Sequence, residues 1–459
     1  MGCGFGVSCF VTFVGSTCLR GGAGIVIVTF LTLVGGPTLG PAWAAPALSR
    51  VSRAPLTPQP SQPLPGRPLP QMRPKTPPTS QRPITFYVVK GGPDACGRGC
   101  DRWIAAEGTI DAGAAPRFRK FLQKVPDRRL PIYFASPGGN LDQAVAMGAM
   151  LRERAAVARV GRTMAEECGF EAQDSDVCLK VKAAGRELHG DLSTRGAVCA
   201  SACPYVMLGA ATREIAPDAV LGVHSPKVVT HFRVEAPTAE MRAAATRRGL
   251  DRAEQLLTSY IKKMGVDLAL LRLADTVRYE DMHMLTRDEI VRFGIDRREH
   301  VETPWLFEFG MRSMVQKVVA ERNDTDKSFR LIAWRLTCFD LDRFALEFRR
   351  PAASAASPAS VRVALGSANS LALISIPVKL QGFEFWGTQF RKATLLSLSD
   401  APHFDFTEAA QGPDGAGPSR TSRLSNEGLT VALDRLLATC APAKVNTAGA
   451  RSDIVDPAK

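Results

Sequence analysis

The sequence predicts an α/β protein with a second, smaller β-rich domain. Three observations carry this. From Ile84 to Gly294, strand-length apolar runs alternate with segments whose apolar residues recur at helical spacing. From residue 303 to about 445 the strand-length runs continue with little helical pattern between them. The 459 residues are 45% hydrophobic and 22% charged, ordinary for a globular chain and enough for two or three domains.

The chain opens on a targeting segment. Gly24 to Gly36 is an apolar core of signal-peptide length, too short to span a membrane comfortably. Ala42-Trp-Ala44 offers a cleavage site, which predicts a mature start near Ala45. Arg20 alone supplies a basic residue before the core, and Phe5 to Cys18 is also apolar, so a retained membrane anchor is the alternative. Residues 45–83 are rich in proline, with Arg, Gln and Ser, and form an extended linker because they hold too little apolar surface for a core. The first folded domain is expected over 84–300, the second over 303–445, and a tail over 446–459.

Within the first domain, Ile84 to Val89 reads as a strand and Trp103 to Ile110 as a second. A helix from Ala115 to Val125 sets Phe118, Phe121 and Leu122 on one face. A strand through Ile132 and Phe134 ends at Gly138-Gly139, and Asn140 caps a helix whose apolar face is Leu141, Ala144, Val145, Gly148 and Ala149. Between Val160 and Arg195 lies an insertion, read equally as a wall of a substrate cleft or as a disulfide-pinned surface loop. A helix from Ala239 to Met264 ends at Gly265, and Thr286 with Glu289 has capping-box spacing before a stop at Gly294. In the second domain, strands are expected at Phe329–Leu336, Val361–Leu365, Leu371–Ile376 and Ala393–Leu398, with a terminal helix at Leu429–Ala438. Residues 352–360 and 412–422 read as loops.

The net charge of +13 allows weak attraction to anionic membranes or cell-wall polymers. The arginines are scattered and no basic run is interleaved with aromatics, so no nucleic-acid partner is expected. Three of the eleven cysteines lie in the targeting segment. The remaining eight favour disulfides in an exported chain. Cys96 with Cys100 and Cys168 with Cys178 are local pairs, Cys338 with Cys440 would close the C-terminal region, and Cys199 and Cys203 either pair or stand as thiols. The spacing is no zinc pattern, and neither a metal nor a cofactor is expected.

The stretch richest in chemistry is Gly196-Ala-Val-Cys-Ala-Ser-Ala-Cys-Pro-Tyr-Val-Met-Leu-Gly209. Ser201 stands where a short strand runs into a helix, and Pro204 suits the first helical turn. Taken alone, Ser201 reads as a helix cap. Two other stretches change that reading: Ser136-Pro-Gly-Gly139 after a strand, and Leu221-Gly-Val-His224 on a strand. A Gly-Gly turn can aim amides at an oxyanion, and a histidine can activate a serine. In this order the three resemble the Clp protease/crotonase superfamily, most closely its secreted members with a Cys-Ala-Ser-Ala-Cys nucleophile segment.

The resemblance covers roughly residues 84 to 300 and implies a ββα spiral domain with Ser201 as nucleophile and His224 as general base. The implied oxyanion hole is the amide of Gly139, with Gly138, and that of Ala202. The family places an aspartate shortly before its closing Leu-Thr/Ser segment. Here Leu285-Thr286 puts Met282 at that place and Asp281 one residue early, so either Asp281 orients His224 or the site is a dyad. Asp275 and His283 are further candidates. Cys199 and Cys203 are rival nucleophiles, and Lys227 is the nearest lysine for a Ser-Lys pair. The family's matching helix implies that Ala239–Met264 mediates a homo-oligomer.

These residues lead to an exported serine peptidase or acyl hydrolase, ATP-independent and acting on peptides or unfolded segments in the periplasm or outside the cell. A non-catalytic Clp-like scaffold of the cell envelope is the alternative.

Overall fold

The structure is a computed structural model. It describes residues 82–230, 232, 236–308, 312–323, 327–352, 358–365, 369–373, 377–401, 403–410 and 419–440. One compact unit holds all of them. The stretches expected to be a targeting segment and a tail, and nearly all of the expected linker, lie outside the described residues.

Strands β1 (Thr85–Lys90) and β2 (Arg102–Glu107) pair antiparallel, followed by α1 (Ala114–Lys124), β3 (Ile132–Ala135), α2 (Leu141–Glu153) and β4 (Val157–Val160). The insertion supplies β5 (Arg162–Ala165), a 3-10 turn over Glu166–Cys168, α3 (Asp176–Ala183) and β6 (Leu188–Ser193). Then come β7 (Val198–Ala200), α4 (Cys203–Leu208), β8 (Thr212–Glu214), β9 (Val220–Val223), α5 (Ala239–Lys263), α6 (Ala269–Thr276), β10 (His283–Met284) and α7 (Arg287–Arg292).

Seven of these strands form one mixed sheet in the order β5-β6-β1-β2-β3-β4-β8. The pairs β1/β6, β2/β3, β3/β4 and β4/β8 are parallel. Alternate residues of β1 and β2 enter different cores. Phe86, Ile104 and Ala106 join the helices' apolar faces, whereas Tyr87, Val89, Trp103 and Ala105 pack with Cys168, Cys178 and Leu188. Burial on both faces is why these strands read as continuous apolar runs. A smaller sheet, β10-β9-β7, is linked to β3 by a parallel bridge between Ser136 and Cys199.

The insertion is pinned by Cys168–Cys178 but is more than a loop: β6 pairs with β1, β5 pairs with β6, and the segment covers the second face of the sheet. Trp103 Nε1 donates to Thr163 Oγ1 at 3.0 Å, and buried Lys182 donates to Glu107 at 2.8 Å. Helix α6 has no counterpart in the sequence reading. Its Leu270, Leu271 and Ala274 are buried, but one helix of eight residues gives only that short signal.

The C-terminal region is β11 (His300–Glu302), β12 (Leu306–Glu308), β13 (Met314–Arg322), β14 (Phe329–Cys338), β15 (Arg343–Pro351), β16 (Pro358–Leu365), β17 (Asn369–Ala372), β18 (Val378–Leu380), β19 (Phe383–Arg391), α8 (Lys392–Asp400), β20 (His403–Ala410), β21 (Ser419–Ser425) and α9 (Leu429–Thr439). Two antiparallel sheets, β11-β13-β14-β15-β19-β18 and β17-β16-β20-β21, share one core. Trp334, Phe348 and Trp386 from the first meet Val363, Phe404 and Phe406 from the second, and α9 adds Leu429, Leu433 and Leu436. The expected strand at Ala393–Leu398 is instead part of α8. Leu395 and Leu398 are buried there at a spacing of three, a helical period that a short run of Leu and Ser hides. The expected loop over 412–422 ends inside β21, and the strand expected through Ile376 is described only as β17 and the residues flanking it.

Four disulfides close: Cys96–Cys100, Cys168–Cys178, Cys199–Cys203 and Cys338–Cys440. Such a set suits an oxidising compartment. No helix among the described residues is long and apolar enough to cross a membrane.

Candidate active site

Strands β7 and β9 run parallel with Val198 beside Val220 and Ala200 beside Gly222. The register carries Ser201 and His224 to the same end of the small sheet. Ser201 N–H donates to Gly222 O at 2.9 Å, which fixes the serine one step beyond the pairing. Its φ of +58° is left-handed, uncommon for a residue with a Cβ. Strand, left-handed serine and helix α4 follow with only the cap residue Ala202 between serine and helix, and the Cys199–Cys203 disulfide clamps the turn from both sides.

The Gly-Gly turn is built against this serine. Ser136 N–H donates to Val198 O at 2.8 Å, and Ser136 O accepts from Ala200 N–H at 2.9 Å. Gly138 has φ +102°, and a Cβ on it would lie 2.5 Å from Ser201 Cβ and 2.8 Å from Ala202 N. Gly139, φ +137°, crowds the carbonyl of Ile110, where a Cβ would stand 2.3 Å from its oxygen. Two side chains are therefore excluded so that backbone can approach backbone.

The amides divide into engaged and open ones. Gly138 N–H donates to Ser136 Oγ at 3.1 Å, so it is committed to the turn. The amides of Gly139 and Ala202 make no hydrogen bond to another described residue. The turn thus narrows the expected donors from three to two.

His224 is buried, with 9% of its surface exposed. Its Nδ1 lies 2.8 Å from the carbonyl oxygen of Ser225, which can only accept. Nδ1 therefore carries the proton, and Nε2 is left with its lone pair. Burial lowers the histidine pKa, against the opposing pull of the Ser225 carbonyl and of Glu280. The Tyr279 ring meets the imidazole in a T-shaped contact, 4.9 Å between centroids at 72°. Ser225 N–H is in turn held by Val277 O at 2.9 Å. Among the described residues, no hydrogen bond joins Ser201 Oγ to His224.

The other candidates fall apart from this centre. Asp281 accepts from Arg278 Nε at 2.8 Å and does not orient His224. A backbone carbonyl occupies the place expected for its carboxylate. His283 sits across from Val223 in β10 but points its Nε2 at Glu289, 2.9 Å away. Asp275 has its pKa raised by burial and by Glu254, and no hydrogen bond ties it to His224. Cys199 and Cys203 are oxidised and cannot act as nucleophiles. Lys227 places its Nζ 4.9 Å from the Tyr279 ring centre. Sequence reasoning missed Ser225 and Tyr279, because a carbonyl has no letter of its own and Tyr279 lies in a turn with no periodicity.

No family model matches the chain, and no curated protein matches it. Among solved structures, invasion associated protein b from Bartonella henselae is similar at 16% identity and a TM-score of 0.21, covering 29% of this chain and 96% of that one. A ClpP1 mutant from Listeria monocytogenes is similar at 15% identity and 0.25, over 42% of this chain and 87% of that one. A mutant of the 1510-N membrane-bound stomatin-specific protease, in complex with a substrate peptide, reaches 16% and 0.26, over 42% and 71%. Scores of 0.26 and below do not establish a shared fold.

Proposed function

We propose that this chain is an exported, ATP-independent serine hydrolase of the peptidase class, built on a Clp/crotonase-like ββα spiral at residues 84–300. The observation that carries the proposal is the left-handed Ser201 at the end of β7, beside His224 at the end of its parallel partner β9.

The chemistry follows from the geometry. Ser201 Oγ attacks a carbonyl carbon while His224 Nε2 takes its proton. The Ser225 carbonyl holds the Nδ1–H and faces the imidazolium that forms. This is a dyad oriented by backbone: among the described residues no carboxylate is hydrogen-bonded to the imidazole, and Glu280 acts on it through charge alone. The amides of Gly139 and Ala202 receive the negative charge that develops on the carbonyl oxygen. His224 then returns the proton to the leaving amine or alkoxide, and water repeats the sequence on the acyl-enzyme. The four disulfides favour a periplasmic or extracellular site of action, where unfolded peptide segments need no ATPase to deliver them. Helix α5, whose Met241 and Leu250 stand exposed in its N-terminal half, is the element proposed to join copies of the chain.

A second reading has one observation in its favour. The missing hydrogen bond between Ser201 and His224, with Asp281 committed to Arg278, fits a scaffold that has kept the fold without the reaction. A fluorophosphonate probe separates the two. Wild type is expected to label and Ser201→Ala is not; wild type that never labels would leave the scaffold.

A further inference from the structure

Among the described residues no carboxylate is hydrogen-bonded to the imidazole, yet a general base works only if its ring plane and tautomer are fixed. The Ser225 carbonyl settles the tautomer. It cannot alone settle the plane, because it belongs to the next residue and moves with His224's own backbone.

The second constraint is Tyr279. Its ring stands at 72° to the imidazole with centroids 4.9 Å apart, the edge-to-face arrangement that aromatic quadrupoles prefer. Tyr279 is 45% exposed, so its place is not dictated by core packing. Instead Lys227, three residues after His224, lays its ammonium 4.9 Å from the centre of the same ring. The Val277 carbonyl, two residues before Tyr279, grips the Ser225 amide at 2.9 Å. The turn that carries the tyrosine is thus tied to the residue that carries the orienting carbonyl. One short segment, Val277 to Tyr279, reaches both the backbone beside the histidine and the ring of the histidine.

We infer that Tyr279, pinned by Lys227, is a positioning residue for His224, supplying by an aromatic edge and a shared backbone clasp the orientation that a carboxylate gives in a charged triad. The inference rests on the hydrolase reading above. It adds that the residue to lose is aromatic rather than acidic.

The test uses the full chain and a fluorophosphonate probe, with the maximal inactivation rate separated from the probe's apparent binding constant. Tyr279→Ala is expected to lower the maximal rate by about tenfold or more while leaving the binding constant within about twofold. Tyr279→Phe keeps the ring and is expected to stay within about twofold of wild type; Tyr279→Leu keeps bulk without the ring and is expected to behave as Tyr279→Ala. Because the side chain is half exposed, thermal melts of all three should match wild type and show that folding is intact. An unchanged rate in Tyr279→Ala overturns the inference, as does a change confined to the binding constant, or a Tyr279→Phe as slow as the alanine variant. Wild type that does not label overturns the hydrolase reading itself and the inference with it, an outcome distinct from the other three.

Discussion

Gly138 lies so close to Ser201 that a single added carbon would come within 2.5 Å of the serine Cβ. The distance is shorter than any contact between real carbon atoms of this kind, so one of the two segments would have to move. Gly138→Ala should therefore disturb both the nucleophile and the neighbouring Ala202 amide. Labelling by a fluorophosphonate should fall by at least about a hundredfold. The positive φ adds a stability cost of about 1–3 kcal/mol, readable as a lower Tm. Labelling of Gly138→Ala at the wild-type rate would show that the turn does not serve the serine.

His224 gives a pH signature. Its pKa is held below the usual histidine value of 6.5 by burial, so the imidazole is neutral at neutral pH. Labelling should be full from pH 7 upward and fall with one protonation below pH 6.5. The same shift sets a stability trend. The unfolded chain takes up the proton first, so the stability this group contributes is present above its unfolded pKa and lost as pH falls through the folded one. An activity midpoint above 6.5 would contradict the burial described.

Two disulfides should separate stability from activity. Cys338 and Cys440 are 102 residues apart and join the end of β14 to the end of α9. Loop closure over that length is worth roughly 4.7 kcal/mol, against roughly 2 kcal/mol for the four-residue separation of Cys199 and Cys203. Replacing Cys338 and Cys440 by serine should lower Tm strongly and leave labelling of the folded protein intact. Replacing Cys199 and Cys203 by alanine should cost less in Tm and more in labelling, since those sulfurs brace the turn at Ser201. Differential scanning calorimetry beside a labelling assay would detect a reversal of that order.

Arg287 and Asp296 form a buried pair, 6% and 1% exposed, at 3.0 Å. Burial would raise the aspartate pKa, but hydrogen bonds from Arg298, Arg287 and the Ile215 amide outweigh it and hold the carboxyl well below the usual range. Arg287→Ala leaves Asp296 with Arg298 and the Ile215 amide but removes a buried, charged hydrogen bond, and should cost about 1.5–3 kcal/mol. The stability from Asp296 is present above its unfolded pKa and lost as pH falls through its depressed folded one, so acid titration of wild type should expose it. A denaturant midpoint unchanged in Arg287→Ala would rule this out.

Much of the first domain could be read from residues because its strands and helices each carry a full period. Phe118 and Phe121, Asn140 as a cap, and Thr286 with Glu289 as a capping box all find their expected places. The fixed order of three short stretches singles out Ser201 and His224, and the parallel pairing of β7 and β9 carries both to one end of the small sheet. What failed was local information of the wrong kind. Asp281 had the right letter one residue early, but Arg278 holds it. Leu395 and Leu398 looked like a strand because a helix of nine residues shows only about two and a half turns of its period. In the C-terminal sandwich β15 alternates cleanly, with Phe344, Leu346 and Phe348 buried, and was legible but not read; β19 is blurred because a charged residue takes a core position, where Arg350 donates to buried Glu384 at 3.0 Å.

The insertion between β4 and β7 has a practical consequence for any shortened version of the protein. Its β6 is the strand that flanks β1, with Val89 beside Leu188 and Lys90 beside His189. Trimming residues 162–193 as a dispensable appendage would leave β1 with open amides and carbonyls and would uncover Tyr87, Val89 and Trp103. Such a trimmed chain should stick to its own copies through the naked rim, not gain a wider entrance for substrate.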